Sequence, residues 1–191
     1  MSTSFTIGLV EERDIPQILD IYKPFVLTTA TSFETEVPAL DVFTKRVLQY
    51  ARLAPWLVAR SGDTILGYAY ATAHRSRGAY RWNQETTVYV HPDHRKKGIA
   101  RALYEKLLHL LTELGYTKAL AVITLPNDPS IGFHQSLGFK NIGEMNNIGF
   151  KFNRWHNTSW WDKDLQDEGF IPGKLKPLSY IENNGFFSDT K

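Results

Sequence analysis

Hydrophobic residues in the first half of the chain recur with two different periods. Apolar positions after Ile15 and again after Pro38 fall at every third or fourth residue, which predicts two amphipathic helices, and Pro24 is expected to end or bend the first. The polar segment 28–36 predicts a loop. Runs rich in β-branched and aromatic residues predict strands, two of which flank the turn sequence Ser61-Gly62-Asp63 as a hairpin. The predicted strands are residues 6–10, 56–60 and 64–71.

The second half of the chain contains the most regular helical pattern. An apolar stripe runs from Ile99 to Leu114, and Gly115 is expected to end that helix. Residues 86–90 predict a strand, and residues 118–125 form a continuous apolar run that is typical of a strand covered on both faces. Pro129 suits the first turn of a short helix. This order of elements favours an α/β fold with one mixed central sheet flanked by helices.

The last part of the chain changes character. Residues 140–161 have aromatic, glycine-punctuated strand character, but proline, glycine, asparagine and charged residues dominate from Asp162 onward. The pattern therefore predicts one domain over residues 1–165 and a surface or partly disordered tail over residues 166–191. A chain of 191 residues with 42% hydrophobic content is expected to form a single compact domain.

Composition excludes several classes of protein. The chain has no cysteine, so disulfides, cysteine-ligated metals and thiol nucleophiles are excluded. The formal net charge of +2 is too small to suggest a general nucleic-acid or membrane-surface protein. No apolar run approaches the ~18 residues that a membrane-spanning helix needs. The N-terminus lacks a secretory pattern, so a cytoplasmic protein is expected.

The run between Thr86 and Ala100 carries the strongest functional signal. It reads T-T-V-Y-V-H-P-D-H-R-K-K-G-I-A, which is a strand, a short basic turn and the start of the long helix. Backbone N–H groups in such a turn point outward, and the positive end of the helix dipole favours an anion. A ligand with a diphosphate is therefore the first hypothesis. The turn lacks the G-x-G-x-x-G spacing of dinucleotide sites and the G-x-x-x-x-G-K-[ST] spacing of nucleoside-triphosphate loops, so neither of these two motifs identifies the ligand.

The sequence R-x-x-G-x-A from Arg95 resembles the Q/R-x-x-G-x-G/A motif of the GNAT superfamily of N-acetyltransferases. Further segments resemble the phosphinothricin and methionine sulfoximine N-acetyltransferases of that superfamily: E-T-T-V-Y-V from Glu85, L-P-N-D-P-S from Leu125 and H-Q-S-L-G-F from His134. The resemblance covers roughly residues 5 to 165. Many relatives have Gly where this chain has Ala100, a departure that the superfamily pattern tolerates.

The resemblance implies acetyl-CoA as the cofactor. Backbone N–H groups from Arg95 to Ala100 would hold its diphosphate, and the sheet would splay after Val90 so that this N–H bonds the thioester oxygen. Asn127 would contact the pantetheine arm, with weaker bonds from Ser130 and Ser136. The residues expected at the cofactor are Val88, Tyr89, Val90, Arg95, Lys96, Lys97, Gly98, Ile99, Ala100, Arg101, Asn127, Ser130 and Ser136.

Two residues receive acid–base roles from the resemblance. Glu85 would be the general base; a glutamate in water titrates near ~4.3, so apolar surroundings or a bridging water would have to assist it. His134 lies where many superfamily members have a tyrosine that protonates the coenzyme A thiolate, and an imidazole that titrates near ~6.5 is able to take that role. Without a cysteine nucleophile, direct transfer in a ternary complex is expected.

The connection between residues 74 and 80 is the predicted substrate site. Arg75 and Arg77 alternate there, and an extended backbone would put both guanidinium groups on one face, where they suit a carboxylate or phosphinate. A small amino acid or analogue is therefore the expected substrate. The remaining residues expected to line its pocket are Phe33, Glu34, Tyr80 and Trp82.

Two other functions stay open at this point. One is acetylation of protein N-termini or polyamines, although a polyamine site would need acidic residues where Arg75 and Arg77 stand. The other is a non-catalytic domain that binds acyl-CoA. The aromatic C-terminal strands also predict a homodimer contact.

Overall fold

A computed structural model describes residues 4–187 of the chain as one seven-stranded mixed sheet with helices on both faces, as the sequence predicts. No helix within these residues is both long enough and apolar enough to cross a membrane. The strands are β1 (Thr6–Leu9), β2 (Trp56–Ser61), β3 (Thr64–Ala73), β4 (Asn83–Val90), β5 (Lys118–Thr124), β6 (Lys140–Lys151) and β7 (Arg154–Asp164). The helices are α1 (Ile15–Thr28), α2 (Leu40–Ala51), α3 (Ile99–Leu114), α4 (Asp128–Ser136) and α5 (Ser179–Asn183).

The sheet order is β1-β2-β3-β4-β5-β7-β6, and every neighbouring pair except β4–β5 is antiparallel. The parallel pair is short: only residues 83–85 of β4 face residues 118–120 of β5. Beyond Glu85, β4 stays paired with β3 while β5 stays paired with β7. The two halves of the sheet therefore separate after Glu85 and leave a gap between β4 and β5.

Two hydrophobic cores hold the helices against the sheet. The apolar stripe of α3 packs on one face, where Leu103, Leu107 and Leu110 are fully buried. Helices α1 and α2 pack on the other face against aromatic residues of the central strands, among them Tyr68 and Tyr89. Successive strand residues point to opposite faces, so the central strands β2, β3 and β4 supply both cores with alternate side chains.

Helix α1 continues through Pro24 to Thr28, although the sequence analysis expects this proline to end or bend the helix. A proline inside a helix leaves the carbonyl four residues earlier without its N–H partner. That carbonyl belongs to Asp20, an exposed residue whose backbone has access to water. The buried stripe continues past the proline with Val26, so packing on the sheet holds the last turn in helical form.

The C-terminal segment differs from the surface tail that its composition predicts. Ile181 in α5 is fully buried, and Leu175 and Leu178 pack against the core that contains α3. Gln166 Nε2 donates to the carbonyl oxygens of Thr112 and Tyr116, which lie at the end of α3 and just beyond it. Three apolar residues at a spacing of three are enough to anchor a segment whose average composition is polar. Residues 188–191 of the predicted tail lie outside the described residues.

Candidate active site

The basic turn before α3 exposes a series of free backbone N–H groups. Lys96 and Gly98 both have left-handed backbone conformations, with φ of 59° and 80°. The first helical hydrogen bond runs from Ala102 N–H to Gly98 O, and no backbone acceptor among residues 4–187 pairs with the N–H groups of residues 96–101. Free N–H groups at a helix start, in a turn with left-handed residues, form a cradle for an anion. The turn fits the diphosphate expected from the sequence.

The side chains around this turn are mostly basic and exposed. Arg95 lies over the ring of Phe25, with the guanidinium carbon 5.5 Å from the ring centroid. Arg101 donates to Ser136 Oγ at 2.7 Å, so two of the predicted cofactor residues meet between α3 and α4. Lys97 Nζ lies 3.3 Å from a ring nitrogen of His94. A cationic surface therefore surrounds the free N–H groups.

The sheet opens earlier than the sequence predicts, after Glu85 instead of after Val90, so both Val88 and Val90 lie beside the gap. His91 N–H donates to Leu66 O on β3, and N–H groups of successive residues in a strand point to opposite sides. The N–H groups of Val88 and Val90 therefore point toward β5, where the pairing has ended. Tyr89 differs: its N–H lies on the β3 side, and its side chain is buried in the core beneath α1.

Asn127 and Ser130 lie on the other side of the gap, at the start of α4. Asn127 caps this helix, because its side-chain oxygen accepts the N–H of Ser130 at 3.3 Å. The helix begins four residues after the end of β5. Asn127 and Ser130 therefore lie at the C-terminal end of β5, and the basic turn lies beyond the C-terminal end of β4.

His134 is buried inside a hydrogen-bond network at the apex of the gap. Its Nδ1 lies 2.8 Å from Ser130 O, and its Nε2 lies 3.0 Å from the hydroxyl of Tyr104. Thr86 Oγ1 lies 2.6 Å from that hydroxyl and 2.9 Å from Leu120 O, a carbonyl at the last paired position of β5. The network therefore ties both sides of the gap to α3 and α4.

The environment of His134 favours the neutral imidazole. Burial lowers the pKa of His134, an effect that the hydrogen bond to Ser130 O partly opposes. Because Ser130 O only accepts, Nδ1 carries the proton and Nε2 accepts from Tyr104. Burial also raises the pKa of Tyr104 above its usual value, so its hydroxyl keeps its proton. Both ring nitrogens of His134 thus have partners within the protein.

Glu85 lies on the opposite face of β4 from this network. Thr86 points toward α3, so the adjacent Glu85 points toward the side of α1 and α2. Its Oε1 lies 2.7 Å from Nδ1 of His74, and its side chain is 34% exposed. Sequence analysis did not single out His74. Only the register could have found it: Thr72 pairs with Glu85, which makes His74 the diagonal neighbour.

Arg75 and Arg77 lie on an exposed connection next to this pair. The backbone bends at Ser76 and Arg77 instead of staying extended, so the predicted alternation of the two side chains does not follow from its geometry. Neither arginine forms an ion pair with a residue of the described chain. Tyr80 lies in the short 3-10 turn that follows, with its ring 5.8 Å from the ring of His74.

Trp82 contacts the C-terminal segment. Its indole N–H donates to Gly173 O at 2.9 Å, so this polar group is already used and is not directed to a substrate. Its predicted role as a wall of the substrate pocket stays a prediction.

The loop between α1 and α2 reaches the hairpin of β6 and β7. Lys151 donates its ammonium protons to Thr29 O at 2.9 Å and Ser32 O at 2.7 Å. Phe33 packs against Gly149, where an added Cβ would lie 2.3 Å from the phenyl ring. Glu34 is paired with Arg46 of α2. The structure therefore gives Phe33 and Glu34 structural contacts, and their predicted place at the substrate pocket stays a prediction.

Comparison with known proteins agrees with this geometry. Residues 7–160 match the family model described as an acetyltransferase (GNAT) domain. The chain is 33% identical over 165 residues to a phosphinothricin N-acetyltransferase of Streptomyces viridochromogenes, covering 86% of this chain and 88% of that protein. It is 31% identical to an L-methionine sulfoximine/L-methionine sulfone acetyltransferase of Salmonella typhimurium, covering 85% and 95% of the two chains.

A solved structure is also similar. A phosphinothricin acetyltransferase of Sinorhizobium meliloti, crystallised in complex with acetyl-CoA, superposes with a TM-score of 0.86 at 32% identity and covers 93% of this chain and 97% of that one. The chain therefore belongs to the GNAT family of acetyltransferases.

Proposed function

We propose that the protein transfers an acetyl group from acetyl-CoA to the amine of a small amino acid or a close analogue. The observation that carries this proposal is the gap between β4 and β5, with the free N–H of Val90 along it and the carboxylate of Glu85 at its start. The similar proteins act on phosphinothricin and methionine sulfoximine, which supports a substrate of this class.

The residues that would hold acetyl-CoA are those of the basic turn and the gap. N–H groups of residues 96–101 bind the diphosphate, and the surrounding lysines and arginines add a favourable field. Asn127 and Ser130 contact the pantetheine arm. Bound acetyl-CoA supplies an acyl group activated as a thioester. The N–H of Val90 would donate a hydrogen bond to the thioester oxygen and stabilise the negative charge that develops there.

Glu85 acts as the general base in this proposal. A substrate amine is protonated in neutral water and has no free electron pair until it loses a proton. Glu85 takes that proton directly or through one water, breaking an N–H bond and forming an O–H bond. The amine then attacks the thioester carbon directly, since the chain has no cysteine to form a covalent acyl-enzyme.

His134 is the proposed proton donor to the departing thiolate, but its surroundings restrict how it acts. The neutral ring has one proton, which is bonded to Ser130 O. Donation therefore requires the protonated imidazole, which burial disfavours. The hydroxyl of Ser130 lies 3.4 Å from Nδ1 on the partly exposed side of the ring. This hydroxyl is the proposed link between His134 and the gap.

Arg75 and Arg77 are the proposed binding groups for the carboxylate or phosphinate of the substrate. Both guanidinium groups are exposed, have no ion-pair partner in the described chain, and belong to the segment that begins with the Glu85 partner His74. Their position would place the anionic group of the substrate close to the general base Glu85, as an amino acid with both a carboxylate and an amine requires.

A thiol-release assay with purified protein, acetyl-CoA and a panel of amines tests the function. Phosphinothricin, methionine sulfoximine and methionine sulfone are expected to be turned over, and putrescine and a protein N-terminal peptide are not. Glu85→Gln is expected to lower kcat about a hundredfold, in the range of general acid–base effects, with acetyl-CoA affinity unchanged. Turnover of the peptide or the polyamine alone would assign the function to the alternative class.

A homodimer through the β6–β7 hairpin is also proposed. Strand β6 is a sheet edge on which almost every residue is exposed, including Ile148 and Phe150, and Trp155 on β7 is 59% exposed. An edge strand with exposed apolar residues is a template for pairing with another chain. Sedimentation should show a dimer that Ile148→Lys with Phe150→Glu disrupts, while Ile171→Lys, at an exposed position elsewhere, leaves it intact. A wild-type monomer at micromolar concentration would contradict the proposal.

A further inference from the structure

The pair formed by His74 and Glu85 is the feature of the site that the sequence did not predict. His74 directly follows β3, and the register between β3 and β4 brings it diagonally across from Glu85. Diagonal neighbours of an antiparallel pair lie within reach of long side chains. The distance from Nδ1 to Oε1 is 2.7 Å, which is a short hydrogen bond to a charged acceptor.

The pair fixes which ring nitrogen of His74 carries a proton. An ionised carboxylate only accepts hydrogen bonds, so Nδ1 must donate. The ring has little freedom to turn, because its side chain is 13% exposed and it packs nearly perpendicular to the rings of Tyr80 and Trp160, at centroid distances of 5.8 and 6.1 Å. The imidazole of His74 is therefore fixed in position, and its hydrogen bond orients the partly exposed carboxylate of Glu85.

Among residues 4–187, the Glu85 carboxylate has no second hydrogen-bond or ion-pair partner. The nearby Arg75 and Arg77 do not pair with it, although an arginine would bind a carboxylate more strongly. The geometry leaves Oε2 free, and an arginine fork on both oxygens would have blocked it.

We propose that His74 is the positioning residue of the general base: it holds Oε1 of Glu85 so that Oε2 receives the proton of the substrate ammonium. This inference rests on the function proposed above. In the step, the ammonium N–H bond breaks, an O–H bond forms at Oε2, and the electron pair remains on the amine nitrogen. His74 keeps its Nδ1 proton throughout and contacts neither substrate nor cofactor.

Two substitutions separate the hydrogen bond from the ring. His74→Phe keeps an aromatic ring against Tyr80 and Trp160 but removes the donor, whereas the amide nitrogen of His74→Asn takes the place of Nδ1 and cannot titrate. His74→Phe is expected to lower kcat about ten- to a hundredfold, as for one lost hydrogen bond to a charged group, without changing the KM for acetyl-CoA. His74→Asn should stay within about threefold of wild type, because an amide N–H donates to the same carboxylate in place of the imidazole N–H.

The outcomes are distinct. Wild-type kcat in His74→Phe, or equal losses in the two variants, would overturn the inference. Nitrogen-15 NMR of labelled histidine gives a second measurement that needs no turnover: the ring of His74, assigned from the signal missing in His74→Asn, should carry a proton on Nδ1. A proton on Nε2 alone would overturn the inference. If the wild-type protein acetylates none of the amines, the proposed function fails instead.

Discussion

Gly98 offers a direct test of the proposed diphosphate site. Its φ of 80° is left-handed, and a Cβ built at this position meets no atom within 4 Å. Replacing it with alanine therefore adds no clash inside the folded protein. A second glycine provides a matched control: Gly62, in the hairpin between β2 and β3, has φ of 57° and equally open surroundings.

The two substitutions should cost about the same stability and differ in ligand binding. A left-handed alanine costs roughly 1–2 kcal/mol, so both variants should melt about 2–8 °C below wild type. At Gly98 the added methyl group would also stand within the turn whose N–H groups are free. Losing one or two hydrogen bonds to a charged phosphate costs about 1.5–3 kcal/mol each, so Gly98→Ala should weaken coenzyme A binding at least tenfold.

Calorimetric titration of coenzyme A into wild type and both variants measures the difference. Gly62→Ala is expected to bind as tightly as wild type, which shows that the loss of stability alone does not affect the site. Melting curves of the same samples give the stability cost separately. Equal affinity of Gly98→Ala and Gly62→Ala for coenzyme A would refute the assignment of the diphosphate to this turn.

Three further predictions concern burial. Because burial lowers the pKa of His134, the unfolded chain binds a proton below its own titration near ~6.5 that the folded protein does not bind. The contribution of His134 to the free energy of unfolding should therefore be fully present above that pH and decrease as the pH falls, by at most about 1.4 kcal/mol per pH unit. Urea unfolding at several pH values measures this dependence, and a His134→Phe variant with the same pH dependence would contradict the prediction. Lys151→Met removes the donor to the carbonyls of residues 29 and 32 and should lower the free energy of unfolding by about 1.5–3 kcal/mol. Lys140→Met, at an exposed position of the same strand, should lower it by less than about 0.5 kcal/mol. Equal urea midpoints in the two variants would show that Lys151 does not hold the loop between α1 and α2. Ile181→Ala should cost about 2–5 kcal/mol because the side chain is fully buried, and Ile171→Ala, 88% exposed, should cost almost nothing; equal melting temperatures would place the C-terminal segment off the core.

Features that depend on neighbouring residues were predictable from the sequence. The apolar stripe gives α3 its bounds, Ile99–Leu114, and Gly115 ends it with a left-handed φ of 92°. The anion turn is equally local, since its free N–H groups come from the start of one helix and the left-handed residues before it. The mixed sheet flanked by helices was predictable from the order of the elements, and the structure confirms it.

Features that depend on residues distant in the chain were decided by the tertiary structure. His74 and Glu85 meet only because β3 and β4 pair in one register, and a shift of one residue would place them on opposite faces. Burial in the fold lowers the pKa of His134, and α3 supplies the Tyr104 hydroxyl that meets its Nε2; its own short helix determines neither. Ile181 is buried because α3 leaves an apolar surface for it, although its segment reads as polar. Sequence specifies what each residue is able to do, and burial and strand register, which are properties of the whole chain, select which of those roles it takes.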